Sequence, residues 1–236
     1  MMPQAWFGPA GREPNPPLDE APGLPRPRTA LPVVEGVPRH LEAHLARLEA
    51  GARHLGQRVD WLPTAGTALC RWLQTCVQPR PTALRLRLQA EAPCLQAVLE
   101  PLPVATQPYP LVVLPHPLAS RKGDPALEHK GLAGQWYQGI LAAARSQGAE
   151  DALLCWPDGT LAETAIASLA VQDGDRLLLP PREGRVASLA ERLDLPGWAA
   201  ARGLRPTFAP VPLKRARQTP LWCLNALRGI WRAHLL

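Results

Sequence analysis

The stretch DALLCWPDGTLAETAIASLAVQDGDRLLLPP, residues 151–181, decides the fold. Short apolar runs alternate in it with turn chemistry: DALLCW, then Pro157-Asp158-Gly159, then TLAETAIASLAV, then Asp173-Gly174, then RLLLPP. Runs of four to eight apolar residues bounded by Asp-Gly signals read as strands joined by tight turns. An antiparallel meander is therefore expected over this stretch. It is followed by SLAE at 188–191, a capping box with Ser188 as the cap and Glu191 as the third helical residue.

Upstream the pattern is mixed. LPVVEG reads as a strand ending in a turn, and PRHLEAHLARLEAGARHLG as a helix with Pro38 at its start, Leu41, Leu45 and Leu48 on one face, and Gly56 at its end. A second helix is expected over about 64–77, and TALRLRLQAE and CLQAVLEPLP as strands, the first with clear period-two alternation. LVVLPHPLASRKGDP passes from apolar to polar with prolines and a glycine, which makes 115–127 the linker candidate. GLAGQWYQGILAAARSQG then reads as a helix closed by Gly148. The expected organisation is a proline-rich arm over 1–30, a small α/β domain over 31–117 and a larger, mostly antiparallel domain with helices over 118–236. The class is α+β or α/β, in two parts.

Composition narrows the function. With 236 residues and 46% hydrophobic content the chain can bury a substantial core. No apolar run is long enough to span a membrane and the start lacks a signal-peptide layout, so a cytoplasmic location is expected. The five cysteines are scattered, without metal-ligand spacing, and read as reduced thiols; no metal site is expected. The net charge of +6 comes from arginines spread along the chain, a solvated surface rather than a nucleic-acid motif. Lysine occurs only at 122, 130 and 214, so chemistry that needs a deprotonatable amine has three candidates.

The order of segments from Lys130 onward resembles the class IV aminotransferases, the fold-type IV pyridoxal-phosphate enzymes, and most of all their aminodeoxychorismate lyase branch. HKGLAGQ, DALLCW and GTLAETAIASL place Lys130, Asp151, Gly159 and Glu163 at the family's separations. CLNALRGI resembles the closing Asn-Ala-Leu-x-Gly motif, and His44 to Leu48 the helix bearing His-x-x-Arg-Leu. The resemblance covers about 31–236.

It implies a set of roles. Lys130 would be the catalytic and cofactor-linking amine, and Glu163 would keep the pyridine nitrogen protonated. Arg47, Ser188, Ala190, Asn225 and Ala226 would face the cofactor phosphate or the substrate carboxylate. The implied cofactor is pyridoxal 5′-phosphate, the substrate a small amino-acid-like molecule, and the assembly a homodimer. The implied activity is lysis of 4-amino-4-deoxychorismate to pyruvate and 4-aminobenzoate, for folate synthesis. A class IV amino-acid transaminase and a non-catalytic homologue without the cofactor are the alternatives. Trp136 and Tyr137 could wall a pocket or lie in the core.

Three positions depart from the family pattern. Leu189, Ala190 and Glu191 stand where a Gly-Ile-Thr or Gly-Val-Thr turn meets the phosphate, and Glu191 brings negative charge there unless it folds back on its own helix cap. Thr29 stands where a strand glutamate falls, and Ser168 replaces an asparagine. Asn225 could equally cap a terminal helix in WCLNALRGIWRAHLL.

Overall fold

The computed structural model describes residues 3–13, 26–76, 81–88, 93–104, 107–132 and 136–236. The mixed α+β composition is as expected, and the chain forms two compact units. The first comprises 1–103 with 129–134, the second 104–128 with 135–236.

The first unit is a six-stranded sheet with two helices against it. Its strands are β1 (Gln4–Gly8), β2 (Gly11–Glu13), β3 (Arg28–Val34), β4 (Val37–Pro38), β5 (Thr82–Leu88) and β6 (Leu95–Pro101), in the order β2-β1-β6-β5-β3-β4. All pairs are antiparallel. The RLRL alternation does what period two requires: Leu84, Leu86 and Leu88 are buried while Arg85 and Arg87 face solvent. Helices α1 (Leu41–His54) and α2 (Leu62–Thr75) pack on the apolar face, joining Leu48, Leu69 and Trp72 to Leu31, Leu84 and Phe7. Each such leucine contributes roughly 1.5–3 kcal/mol on leaving water.

Two expectations are corrected in this unit. Part of the proline-rich arm is sheet: Ala5, Trp6 and Phe7 are buried in β1, whose apolar triplet pairs with β6, while 14–25 lie outside the described residues. Pro38 ends a strand rather than starting the helix, and α1 begins at Leu41 after His40 turns left-handed.

The second unit holds β7 (Tyr109–Pro115), α3 (Tyr137–Ser146), β8 (Asp151–Cys155), β9 (Leu161–Thr164), β10 (Ser168–Asp173), β11 (Arg176–Leu179), α4 (Leu189–Leu193), α5 (Leu195–Ala200), β12 (Arg205–Phe208), α6 (Leu213–Ala216), β13 (Leu221–Asn225) and β14 (Gly229–Leu235). Its eight strands run β12-β11-β10-β13-β14-β7-β8-β9. The meander is therefore corrected. β8 pairs β9 and β10 pairs β11, but residues 165–167 form a turn, and β9 and β10 pair on different sides of the sheet order. The C-terminal segment is the hairpin β13–β14, not a helix.

The structure divides the chain at 103/104 rather than at 117/118. β7 hydrogen-bonds in parallel to both β8 and β14, which ties it to the second sheet, whereas 129–134 return to the first unit. Among the described residues no helix is long and apolar enough to cross a membrane.

Candidate functional site

Lys130 and Arg47 belong to the first unit; Glu163, Ser188, Ala190, Asn225 and Ala226 belong to the second. Each group is built by its own unit.

Lys130 sits in a turn bonded alongside the start of β3. The Arg28 N–H donates to the Lys130 carbonyl at 3.0 Å, and the Arg26 N–H to the Gly131 carbonyl at 3.3 Å. This approach needs glycine next to the lysine. Gly131 has φ of +100°, and a Cβ there would lie 2.1 Å from the Arg26 carbonyl oxygen. The lysine is thus seated by its neighbour's missing side chain.

Helix α1 brings His44 and, one turn on, Arg47. Thr29 Oγ1 lies 2.6 Å from His44 Nδ1 in a buried bond, so the threonine that stands in the family's glutamate position has a local partner. Burial, and then the charges of Arg47, Lys130 and His40, lower the His44 pKa to about 3. His44 is neutral at pH 7, and the cations acting on it give this face of the unit a positive field suited to an anion.

In the second unit Glu163 lies in β9 at 4% exposure and accepts a hydrogen bond from Tyr137 Oη at 2.8 Å. Burial raises its pKa to about 7, with the Tyr137 bond and the Arg185 charge opposing the rise. The turn after Glu163 is pinned from two sides. Asp151 Oδ1 accepts the Ala165 N–H at 3.0 Å, and Asn225 Nδ2 donates to the Ile166 carbonyl at 3.4 Å.

Ser188 caps α4, accepting the Ala190 N–H at 3.2 Å, so half of the expected capping box exists. The other half does not form: the Ser188 N–H donates to Ser168 Oγ at 2.9 Å, and Glu191 turns to Arg185 instead. Arg185 Nη1 donates to Glu191 Oε1 at 2.6 Å and to Ser168 Oγ at 3.3 Å. The charge that Glu191 carries is therefore offset inside the protein. Asn225 Oδ1 accepts the N–H groups of Leu227 and Arg228 at 3.1 and 2.8 Å, making the β13–β14 turn that holds Ala226.

Among the candidates of this unit, Ser188 and Ala190 are bonded to each other and, through Ser168, to Arg185 and Glu191, while Asn225 holds the 165–167 turn that follows Glu163 and shares its own turn with Ala226. Pyridoxal phosphate can be tested against these groups. The ring-nitrogen end fits, since a buried carboxyl with the Tyr137 donor already in place is stabilised further by a protonated nitrogen. At the phosphate end the second unit supplies no uncommitted cation among these residues, and the Ala190 N–H is engaged by its own cap.

Sequence reasoning missed Arg185, because nothing in EGRVASLAE distinguishes a buried arginine from a solvated one. Tyr137 was visible only as an aromatic near Lys130; its bond to Glu163 spans 26 residues and leaves no local signal.

Comparisons with known proteins bear on the fold and the family. The fold is that of a hypothetical aminotransferase from Mycobacterium tuberculosis, with 22% identity, 99% of this chain and 91% of that chain covered, and a TM-score of 0.81. A fold IV transaminase from Curtobacterium pusillum gives 16% identity, coverage of 99% and 92%, and a TM-score of 0.80. The 4-amino-4-deoxychorismate lyase from Pseudomonas aeruginosa gives 20% identity, coverage of 99% and 91%, and a TM-score of 0.73. At these identities the likeness establishes the fold. No curated protein matches the sequence closely enough to count as a relative. The family profile described as amino-transferase class IV matches residues 29–236. The chain belongs to the class IV aminotransferase family.

Proposed function

We propose that this chain is a pyridoxal-phosphate-dependent lyase that converts 4-amino-4-deoxychorismate to pyruvate and 4-aminobenzoate. The observation that carries the reading is Glu163, a buried carboxyl that accepts a hydrogen bond from Tyr137 and whose pKa burial raises to about 7. Such a group has no evident structural gain; it becomes favourable when a positively charged ring nitrogen joins it. The cofactor supplies an electron sink for charge left at the substrate α-carbon.

Each residue then has a stated task. Lys130, seated by Gly131, provides the amine that holds the cofactor and takes the α-proton from the substrate. Glu163 holds a proton at the ring nitrogen. Arg47, in the cationic surroundings of His44, answers the phosphate dianion. Ser188, Ala190, Asn225 and Ala226 are the second unit's positions toward the phosphate or the substrate carboxylate. Arg185 removes the objection that Glu191 raised, because the carboxylate is paired rather than directed at an anion. The reading also assigns the active protein to a homodimer in the cytoplasm, serving folate synthesis.

The Asn225-Ala226-Leu227-x-Gly229 ending, shared in pattern with the lyase branch, supports lysis over transamination. The test is to supply purified protein and pyridoxal phosphate with 4-amino-4-deoxychorismate and follow 4-aminobenzoate fluorescence and pyruvate together. Equal release of both products supports the lyase. Keto-acid-dependent exchange with branched-chain or D-amino acids, without 4-aminobenzoate, assigns the chain to the transaminases instead.

A further inference from the structure

Among the described residues of the second unit, three arginines are partly or fully buried: Arg121, Arg185 and Arg228. Two of them are matched by acids, Arg121 by Asp124 and Arg185 by Glu191, each at 2.6 Å. Arg228 makes no ion pair among the described residues, yet its guanidinium is held in place. Nη1 donates to Tyr109 Oη at 3.3 Å, and the group lies over the Tyr109 and Trp231 rings, 5.6 and 5.8 Å from their centres. Those two buried rings stand at 87° to each other, so aromatic surfaces meet the cation from two directions. The main chain is fixed as well: Asn225 Oδ1 accepts the Arg228 N–H at 2.8 Å, in the turn that also carries Ala226.

Tyr109 does not neutralise the charge. Burial pushes its phenol up to about 12, so it is uncharged at pH 7 and acts toward Arg228 as an acceptor only. The edge of the guanidinium formed by Nε and Nη2 has no acceptor among the described residues and is not sealed from outside the protein. That edge offers two parallel N–H bonds, the geometry a carboxylate accepts. We propose that Arg228 is a carboxylate-binding residue whose Nε–Nη2 edge receives one carboxylate of the substrate. The choice of ligand rests on the lyase reading: both of its products are carboxylic acids, so the substrate carries two carboxylates. The aromatic surfaces that hold the cation also keep water from one side of it, which strengthens its attraction for an anion.

The test uses the full chain with pyridoxal phosphate, titrated calorimetrically with 4-aminobenzoate, its uncharged carboxamide, pyruvate and inorganic phosphate. The variants are Arg228→Met, which keeps a stem over the rings, and Arg228→Lys, which keeps the charge without the fork. Arg228→Met is expected to bind one or both product acids roughly ten- to a hundredfold more weakly, the effect of losing a charged hydrogen-bond partner, with a smaller loss in Arg228→Lys. Affinity for the carboxamide should stay the same in all three proteins, which a loss of packing alone would not achieve. Should Arg228→Met fail to fold, Tyr109→Phe, which removes the orienting hydroxyl and keeps the ring, joins Arg228→Lys, and both are expected to bind the acids more weakly than wild type. Wild-type affinity for both acids in the folded variants, or a dependence on Arg228 confined to phosphate, overturns the proposal. If the acids bind through Arg228 but no 4-aminobenzoate is released from 4-amino-4-deoxychorismate, the carboxylate site stands and the lyase reading falls. If the lyase is active and its KM is the same in Arg228→Met, the lyase reading stands and the carboxylate site falls.

Discussion

Replacing Glu163 by glutamine gives a quantitative test of the site before any substrate is added. The folded pKa of Glu163 is raised from 4.5 to about 7, chiefly by burial. Between those values the folded chain binds more protons than the unfolded one, so this group's contribution to stability is intact below pH 4.5 and is lost as pH rises to about 7. A shift of this size corresponds to about 3 kcal/mol. The amide side chain of Glu163→Gln keeps the shape and can still accept from Tyr137, but it cannot ionise. It leaves an NH2 group to satisfy, at a pH-independent cost of roughly 1–3 kcal/mol.

Other groups also move the profile. Asp151, raised to about 6, acts in the same direction as Glu163, while His44 and His116, lowered to about 3 and about 4, make stability rise with pH up to their unfolded range. All three are common to both proteins and cancel in the difference. Urea unfolding of cofactor-free wild type and Glu163→Gln, at intervals from pH 4.5 to 8, should therefore show the variant gaining on wild type by about 3 kcal/mol as pH rises. Parallel profiles would refute the assignment of Glu163 as a buried, near-neutral carboxyl.

Two further substitutions probe the first unit. Gly131→Ala forces a Cβ to within 2.1 Å of the Arg26 carbonyl oxygen at a φ of +100°, and should cost roughly 2 kcal/mol or more and weaken pyridoxal phosphate retention, as read by urea unfolding and absorbance. Thr29→Val removes the partner of buried His44 Nδ1 and should lower stability by about 1–3 kcal/mol in urea. If Thr29→Val unfolds at the wild-type midpoint, the bond is not formed in solution.

Most elements were legible because their signals are local. The alternation of β5, the leucine face of α1 and the Asp-Gly turns each report a period or a backbone need within a few residues. The strand β1 was hidden in a proline-rich context, where four residues pairing with a strand about ninety positions away have no periodicity to show. β7 was legible as apolar, yet its membership was not, since parallel pairing with β8 and β14 is a long-range fact. In the site the same division holds. Lys130 and Glu163 stood out by scarcity and by a carboxyl inside an apolar strand, whereas the burial of Arg185 depends on four partners brought together only by the fold.

The capping box shows how a correct local signal misleads about chemistry. Ser188 does cap α4, but the glutamate that completes the motif found a stronger partner, a buried guanidinium, than the backbone N–H the motif offers. That choice leaves the Glu191 carboxylate paired inside the protein.

The account rests on a covalent link between Lys130 and pyridoxal phosphate. Purified protein incubated with the cofactor and desalted should keep a visible absorbance band, and Lys130→Ala, folded to the same extent, should lose it. A wild-type protein that leaves the column colourless, or a Lys130→Ala variant that keeps the band unchanged, would contradict the account.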